Sequence, residues 1–521
     1  MSRRRIAALC LVLVAPLFTA ARLPGADDLS DKIEALIQAP EYKHSRWGVL
    51  VVDAETGKPI YAQNADMLFA PASVTKLYTC AAALVAFGPD YTFETPVFSR
   101  GEVVEGRLRG DLILVAKGDL TLGGRTKADG KMAFKNQDHI YTTATSTTVE
   151  LTDTDPLAGL NDLARQVKAA GIKQIDGDVL IDDRLFDRAR GSGSGPDLLT
   201  PIVVNDNLID VVINPAAKAG EPATAKLVPH TEYVQIDVQV DTVADGQRSR
   251  IVTERVGPQR YTVRGQIAVT SKPLVRICVV DDPAGFARAL FIAALAKEGV
   301  KVRASALRAP TADLPEKDAY AKLTRVAVYK SPPLSEAVKV TLKTSHNLYA
   351  SLLPLLLAVK NDKRTLAEGM RQEAKALADL KLDVSEIVLE SGAGGGNSDR
   401  VTPRVTVQLL QAMGKRTEFT AFKAALPVLG VDGTLADMVT ADSPARGKVF
   451  AKTGTYTDSD LLNDRPFLRS KSLAGVMTAA NGKTLYFAIF VNDVPLPAGV
   501  TSVREGRQLA RLCEIIYHNA P

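Results

Sequence analysis

The chain has 521 residues, of which 24% are charged and 46% hydrophobic, a globular rather than a disordered composition with room for about three domains. Its formal charge of +5 is mostly local: residues 1–21 hold three arginines and no acid, so the remainder carries +2. That leaves no basic patch to argue for nucleic acid.

Residues 1–21, "MSRRRIAALCLVLVAPLFTAA", combine Arg3–Arg5, an apolar run and small residues at the end. The pattern is that of a secretory signal peptide. It places the mature chain in the periplasm or cell envelope. Beyond Ala21 no stretch is long and apolar enough to span a bilayer, so no transmembrane segment is expected after signal removal; "LYASLLPLLLAVK" is short and contains Pro354. Cys80, Cys278 and Cys513 remain, far apart and odd in number, and read as buried structural thiols. The five histidines show no metal-ligand spacing, and the expected chemistry needs neither metal nor cofactor.

"RWGVLVVDAETGKPIYAQN" predicts two strands joined by a Gly-containing turn. "MLFAPASVTKLYTCAAALVAFG" predicts a helix that Pro71 opens and Gly88 ends. From about Tyr91 to Val302 short β-rich segments dominate, closed by the helical "AGFARALFIAALAKEGV". After Pro310 helices return in "SPPLSEAVKVTLKTSHNLYASLLPLLLAV", followed by the glycine-rich "ESGAGGGNSDRVTP". A helix near Val405–Met413, a strand ending "KVFAKTGTY", a hairpin turning at Asn481-Gly482 and an amphipathic C-terminal helix complete the chain. The two ends share one α+β style, and the middle reads as an insertion.

Ser73 and Lys76 lie three residues apart, on one face of the predicted helix, where a neutral amine could take a proton from the hydroxyl. Alone, an S-x-x-K is weak and describes many solvent-facing helices. Ser345-His346-Asn347 and Lys452-Thr453-Gly454 change its weight. The three motifs each occur once, in this order, and together mark β-lactamases and penicillin-binding proteins.

About half of the chain separates Ser73 from Ser345. With "GDLILVAKGDLTL", "IDGDVLIDDRLFD", "VVNDNLIDVVINP", "DRVTP", "LPVLGVDGTL" and "GKVFAKTGT", the sequence resembles the class C low-molecular-mass penicillin-binding proteins, the D-alanyl-D-alanine carboxypeptidase/endopeptidase family. The resemblance implies an α+β fold: a serine β-lactamase/penicillin-binding-protein-like catalytic domain, with helices packed on an antiparallel sheet, interrupted by inserted β-rich domains. The expected division is signal 1–21, catalytic domain 27–97, inserted domain II 98–204, nested domain III 205–268, domain II again 269–309 and catalytic domain 310–521. The implied partners are peptidoglycan stem peptides, with β-lactams as covalent inhibitors.

In the implied mechanism Ser73 is the nucleophile, Lys76 its base, Ser345 a proton relay and Asn347 a support for Lys76 and the substrate amide. Lys452, Thr453, Gly454 and Thr455 bind substrate: Lys452 and Thr453 meet the terminal carboxylate, and the N–H groups of Ser73 and Thr455 form the oxyanion hole. The expected activity is D-alanyl-D-alanine carboxypeptidase, with D,D-endopeptidase activity as an addition. A β-lactamase-like hydrolase and a catalytically silent scaffold stay open as alternatives. One departure stands out. Where the family has D-G-S-G-L, this chain has Ser391-Gly392-Ala393-Gly394-Gly395. His346, in the variable position of its motif, reads as an exposed or packed side chain, and Arg400 as a structural ion pair, with a peptide carboxylate as the alternative partner.

Overall fold

A computed structural model describes residues 26–521; the expected signal peptide lies outside the described residues. Five antiparallel strands form the central sheet, in the order Val449–Asp460, Arg465–Thr478, Thr484–Pro495, Arg46–Asp53 and Pro59–Gln63. Both ends of the chain therefore build one sheet, and the segment between them is the insertion. Side chains alternate across this sheet. Val49, Val51, Phe487, Ile489 and Val491 join the core under the Ala26–Ile37 and Val503–Asn519 helices, while Leu50, Val52, Ala488 and Phe490 join the core under the helices that carry the site. With both faces buried, these strands read as unbroken apolar runs rather than as alternating ones.

The Thr75–Phe87 helix is buried along nearly its whole length. It ends at Gly88, whose φ of 84° is costly for other residues. The long apolar run after Pro332 is two helices, Leu334–Lys343 and Asn347–Lys360. The break falls on the second motif, where Ser345 takes a φ of 63°. The third motif lies inside a strand and does not end one. "KTG" is followed by six further strand residues, and "LLNDRPFLRSKS" forms the turn and return of a long hairpin.

The insertion has a hydrophobic core of its own, separate from the two catalytic cores. Its main sheet pairs Glu94–Val104 with Arg107–Val115 and, on the other side, with Thr324–Lys330. The Ala158–Ala169 and Pro283–Lys297 helices join its core. Two three-stranded sheets follow: Leu208–Asn214 flanked by Thr224–Val228 and Leu274–Val279, and Arg260–Ala268 flanked by Gln235–Val243 and Arg250–Gly257. On these pairings we propose that the insertion runs from about residue 94 to 330, since the expected boundary at 98 cuts through the Glu94–Val104 strand and the one at 309 leaves out the edge strand Thr324–Lys330. Cys80, Cys278 and Cys513 are buried and free.

Among the described residues no helix is long and apolar enough to cross a membrane.

Candidate active site

Ser73 sits in a 3-10 turn, Ala72–Val74, that feeds the Thr75–Phe87 helix. Ala72 adopts a φ of 46°, a conformation that a non-glycine residue keeps only when its surroundings impose it. The central sheet imposes it. Ser470 Oγ donates to the Ala70 carbonyl at 2.6 Å, Ser472 Oγ to the Pro71 carbonyl at 2.7 Å, and Asn492 Oδ1 accepts from the Ala70 N–H at 2.8 Å. Gly454 lies against the same turn: a Cβ there would stand 2.4 Å from the Pro71 carbonyl oxygen and 2.1 Å from Ser472 Oγ. Gly454→Ala is therefore expected to displace the turn and lower the acylation rate by about 100-fold while the protein still folds. Stopped-flow acylation beside a thermal melt checks this, and an unchanged rate would contradict it.

Lys76 is fully buried, and its Nζ donates to Ser73 Oγ at 2.9 Å, Asn347 Oδ1 at 2.8 Å and the Ala393 carbonyl at 2.6 Å. Burial lowers its pKa from the ordinary 10.5 to about 7, against a weaker opposing pull from Cys80 and Asp399. Lys452 is equally buried, with Nζ donating to Ser345 Oγ at 2.9 Å and to the Thr453 carbonyl at 2.8 Å. Desolvation, and then the charge of Lys76, hold its pKa well below the usual lysine range. The two amines thus form two hydroxyl–lysine pairs, Ser73 with Lys76 and Ser345 with Lys452, and Asn347 bonds the first of them. Thr453 Oγ1 bonds Thr434 Oγ1 at 2.7 Å, and Thr455 Oγ1 accepts from Lys471 Nζ at 2.8 Å. The strand carrying Lys452–Thr455 is the edge of the central sheet, where backbone groups are free to meet an extended peptide.

The altered glycine loop is integrated into this arrangement. Gly394 has a φ of 84°, and a Cβ there would approach the Ala72 carbonyl oxygen to 2.0 Å. Ser391 Oγ bonds Ser192 Oγ at 2.7 Å, and Ser192 Oγ also accepts the Gly395 N–H at 3.2 Å. Buried Asp399 braces the loop by accepting the N–H groups of Gly396 and Glu390. Arg400 caps the carbonyls of Asn397 and Asp399, and among the described residues it makes no salt bridge.

Ser73, Ser345, Thr453 and Thr455 open into a cavity of about 350 Å³ whose wall also includes Asn136, Tyr141, Thr434 and Lys471. Asn136 and Tyr141 belong to the insertion, and Tyr141 Oη donates to the Ser345 carbonyl. Ser194 accepts from Asn347 Nδ2 at 3.0 Å. Only the tertiary fold brings these residues to the site, and no local pattern marks them. Thr434, in contrast, lies in the quoted stretch "LPVLGVDGTL".

His346 is fully buried. It stacks on Tyr349, with ring centroids 3.7 Å apart, and bonds Asp206 at 3.2 Å. Arg125 pairs with Asp138 at 2.9 Å and Asp206 at 2.5 Å, and His139 bridges Asp206 and Asp210 at 2.7 Å each. This network fastens the insertion to the start of the Asn347 helix. Asp138, Asp206 and His346 bring three donor atoms within 4.8 Å of one another. The Arg125 guanidinium already supplies the cation there, and a metal ion would have to sit against it.

A serine at a helix start, a buried lysine of lowered pKa beside it, a second serine–lysine pair and a free edge strand make up a site of the serine acyl-transfer, penicillin-binding type. The particular family follows from comparison: the chain belongs to the D-Ala-D-Ala carboxypeptidase 3 (S13) family, whose model matches residues 29–510. It is a serine-type D-alanyl-D-alanine carboxypeptidase, a hydrolase. It is 29% identical over 555 residues to the D-alanyl-D-alanine carboxypeptidase of Actinomadura sp. (strain R39), covering 99% of this chain and 92% of that one. Penicillin binding protein 4 (dacB) from Haemophilus influenzae has the same fold. Its crystal structure matches with a TM-score of 0.66 at 22% identity, over 93% of this chain and 98% of that one. A complex of that protein with a novel β-lactam also gives 0.66, at 21% identity over 94% and 99%.

Proposed function

We propose that Ser73 is the nucleophile of this carboxypeptidase and that peptidoglycan stem peptides are its substrates. The observation that carries the reading is the 2.9 Å contact from a buried Lys76, with a pKa of about 7, to Ser73 Oγ. Near neutral pH a large share of Lys76 is an uncharged amine, able to accept a proton from the hydroxyl. Ser73 Oγ bonds to the carbonyl carbon of the penultimate D-alanine while its proton passes to Lys76. The N–H groups of Ser73 and Thr455 hold the developing oxyanion. Ser345, bonded to Lys452, relays a proton to the leaving amine as the C–N bond breaks. Water then cleaves the acyl-enzyme. Asn347 holds Lys76 and the substrate amide, and Thr453, with Lys452 bonded to its carbonyl behind it, draws the terminal carboxylate to the edge strand past Gly454.

An amide cross-link is the same bond with a longer leaving group, so D,D-endopeptidase activity belongs to the proposal. A β-lactam presents a carbonyl and a carboxylate in the same relation, and the H. influenzae protein was crystallised with one. The wall substrate, and the signal expected in residues 1–21, place the enzyme in the periplasm or cell envelope. A pentapeptide ending in D-Ala-D-Ala should be cleaved at least tenfold faster than its C-terminal amide, since the amide forfeits a charge-assisted contact. Equal D-alanine and D-alaninamide release, followed by chromatography, would remove the carboxylate from the recognition scheme.

A further inference from the structure

Two buried lysines stand near the carboxylate end of this site, and only one of them faces the cavity. Lys452 is sealed, its amine turned to Ser345 and to the Thr453 carbonyl, and it does not line the cavity. Lys471, on the neighbouring strand directly across from Thr455, does line it, together with Ser73, Thr453 and Thr455. Lys471 is 8% exposed, and its hydrogen-bond partner is a neutral hydroxyl, Thr455 Oγ1 at 2.8 Å.

A buried ammonium is ordinarily paired with a carboxylate. Among the described residues Lys471 makes no salt bridge, although Glu505 lies close by. The Glu505 carboxylate is committed elsewhere: it accepts from Tyr42 Oη at 2.5 Å and pairs with Arg504 at 2.5 Å. Room is kept for the lysine. A Cβ on Gly506, in the first turn of the C-terminal helix, would stand 3.3 Å from Lys471 Cε and 3.5 Å from Nζ. The fold therefore encloses a cation, leaves it without a directly bonded anion among the described residues, and lines the space beside it with Thr453 and Thr455.

We propose that Lys471 is the residue that contacts the substrate's C-terminal carboxylate, with Thr453 and Thr455 donating beside it, while Lys452 acts on that end only through Ser345 and Thr453. The inference rests on the reading of Ser73 as the nucleophile. Burial holds the Lys471 pKa down to about 8, so the amine keeps most of its charge at neutral pH. An arriving carboxylate would restore to Lys471 the partner that the fold withholds.

The probes are benzylpenicillin and its methyl ester, which differ only in the carboxylate. Their acylation rate constants would be read by intact mass on wild type, Lys471→Met and Lys471→Arg. Wild type is expected to react faster with the free acid. Lys471→Met should lower the free-acid rate on the order of 30-fold or more and leave the ester rate within about threefold. Lys471→Arg should recover most of the loss. The ester also reports that the variant is folded. Equal slowing with both probes would make Lys471 structural, and no slowing with either would remove it from recognition; each overturns the proposal. If wild type is acylated by neither probe, the nucleophile reading fails, and this inference with it.

Discussion

Ser73→Ala is expected to abolish both covalent labelling by a penicillin and release of D-alanine from D-Ala-D-Ala peptides. The bond to be formed is an ester from Ser73 Oγ to the opened lactam carbonyl, and among the described residues no other cavity-lining hydroxyl bonds Lys76. Ser345 cannot substitute, because its Oγ is paired with Lys452 rather than with Lys76. Deleting the nucleophile of a serine peptidase lowers turnover on the order of 10⁶-fold in a measured case elsewhere. The side chain is small and only partly buried, so alanine should leave the melting temperature within a few degrees of wild type. Intact-mass analysis of wild type should show one long-lived adduct, because the tethered leaving group of the opened ring hinders water. Peptide mapping should place that adduct on "LFAPASVTK". Labelling that persists in Ser73→Ala would move the nucleophile elsewhere. Label that appears and vanishes in wild type within seconds, over many turnovers, would mark a β-lactamase. Folded wild type that takes no label and cleaves no peptide would mark a silent scaffold.

Much of this site is legible in the chain because its chemistry is local. Ser73 and Lys76 need only one helical turn to meet, and "KTG" needs only a strand. What cannot be read is whatever depends on distant segments meeting. Tyr141 and Ser194 belong to the insertion, and nothing around them differs from an ordinary turn. Nothing in "LRSKS" singles out Lys471; the register opposite Thr455 puts it at the cavity. His346 shows the same limit: its two alternatives resolve to packed only because Asp206 and Tyr349 arrive beside it. The one fold error, the end of the third-motif strand, has a similar cause: periodicity is silent about strand residues as polar as "TDSD", which extend the third motif because their partner strand holds them. The altered glycine loop is a different case. Losing the expected carboxylate and hydroxyl looks damaging, yet Ser391 finds Ser192, and Gly394 supplies the close approach to Ala72 that the turn carrying Ser73 demands.

Lys76→Met should leave a folded protein that acylates at least 1,000-fold more slowly, a loss at the scale of a general base. Two stability terms oppose each other. Burial lowers the folded pKa from 10.5 to about 7, so the native state binds this proton more weakly than the unfolded chain. The resulting cost is full below pH 7 and shrinks as pH rises from 7 to 10.5. Methionine removes it, a gain on the order of 4 kcal/mol at pH 7. The same change orphans Asn347 Oδ1 and the Ala393 carbonyl, at about 1–3 kcal/mol each. The two nearly cancel, so the rate is the informative measurement. In wild type only the neutral amine can take the proton, and acylation should fall about tenfold per unit as pH drops below 7. Lys76→Arg should not recover the rate, because a guanidinium keeps its proton across this range. A pH-independent acylation rate between 5 and 8, or an active Lys76→Arg, would show that Lys76 positions Ser73 without accepting its proton.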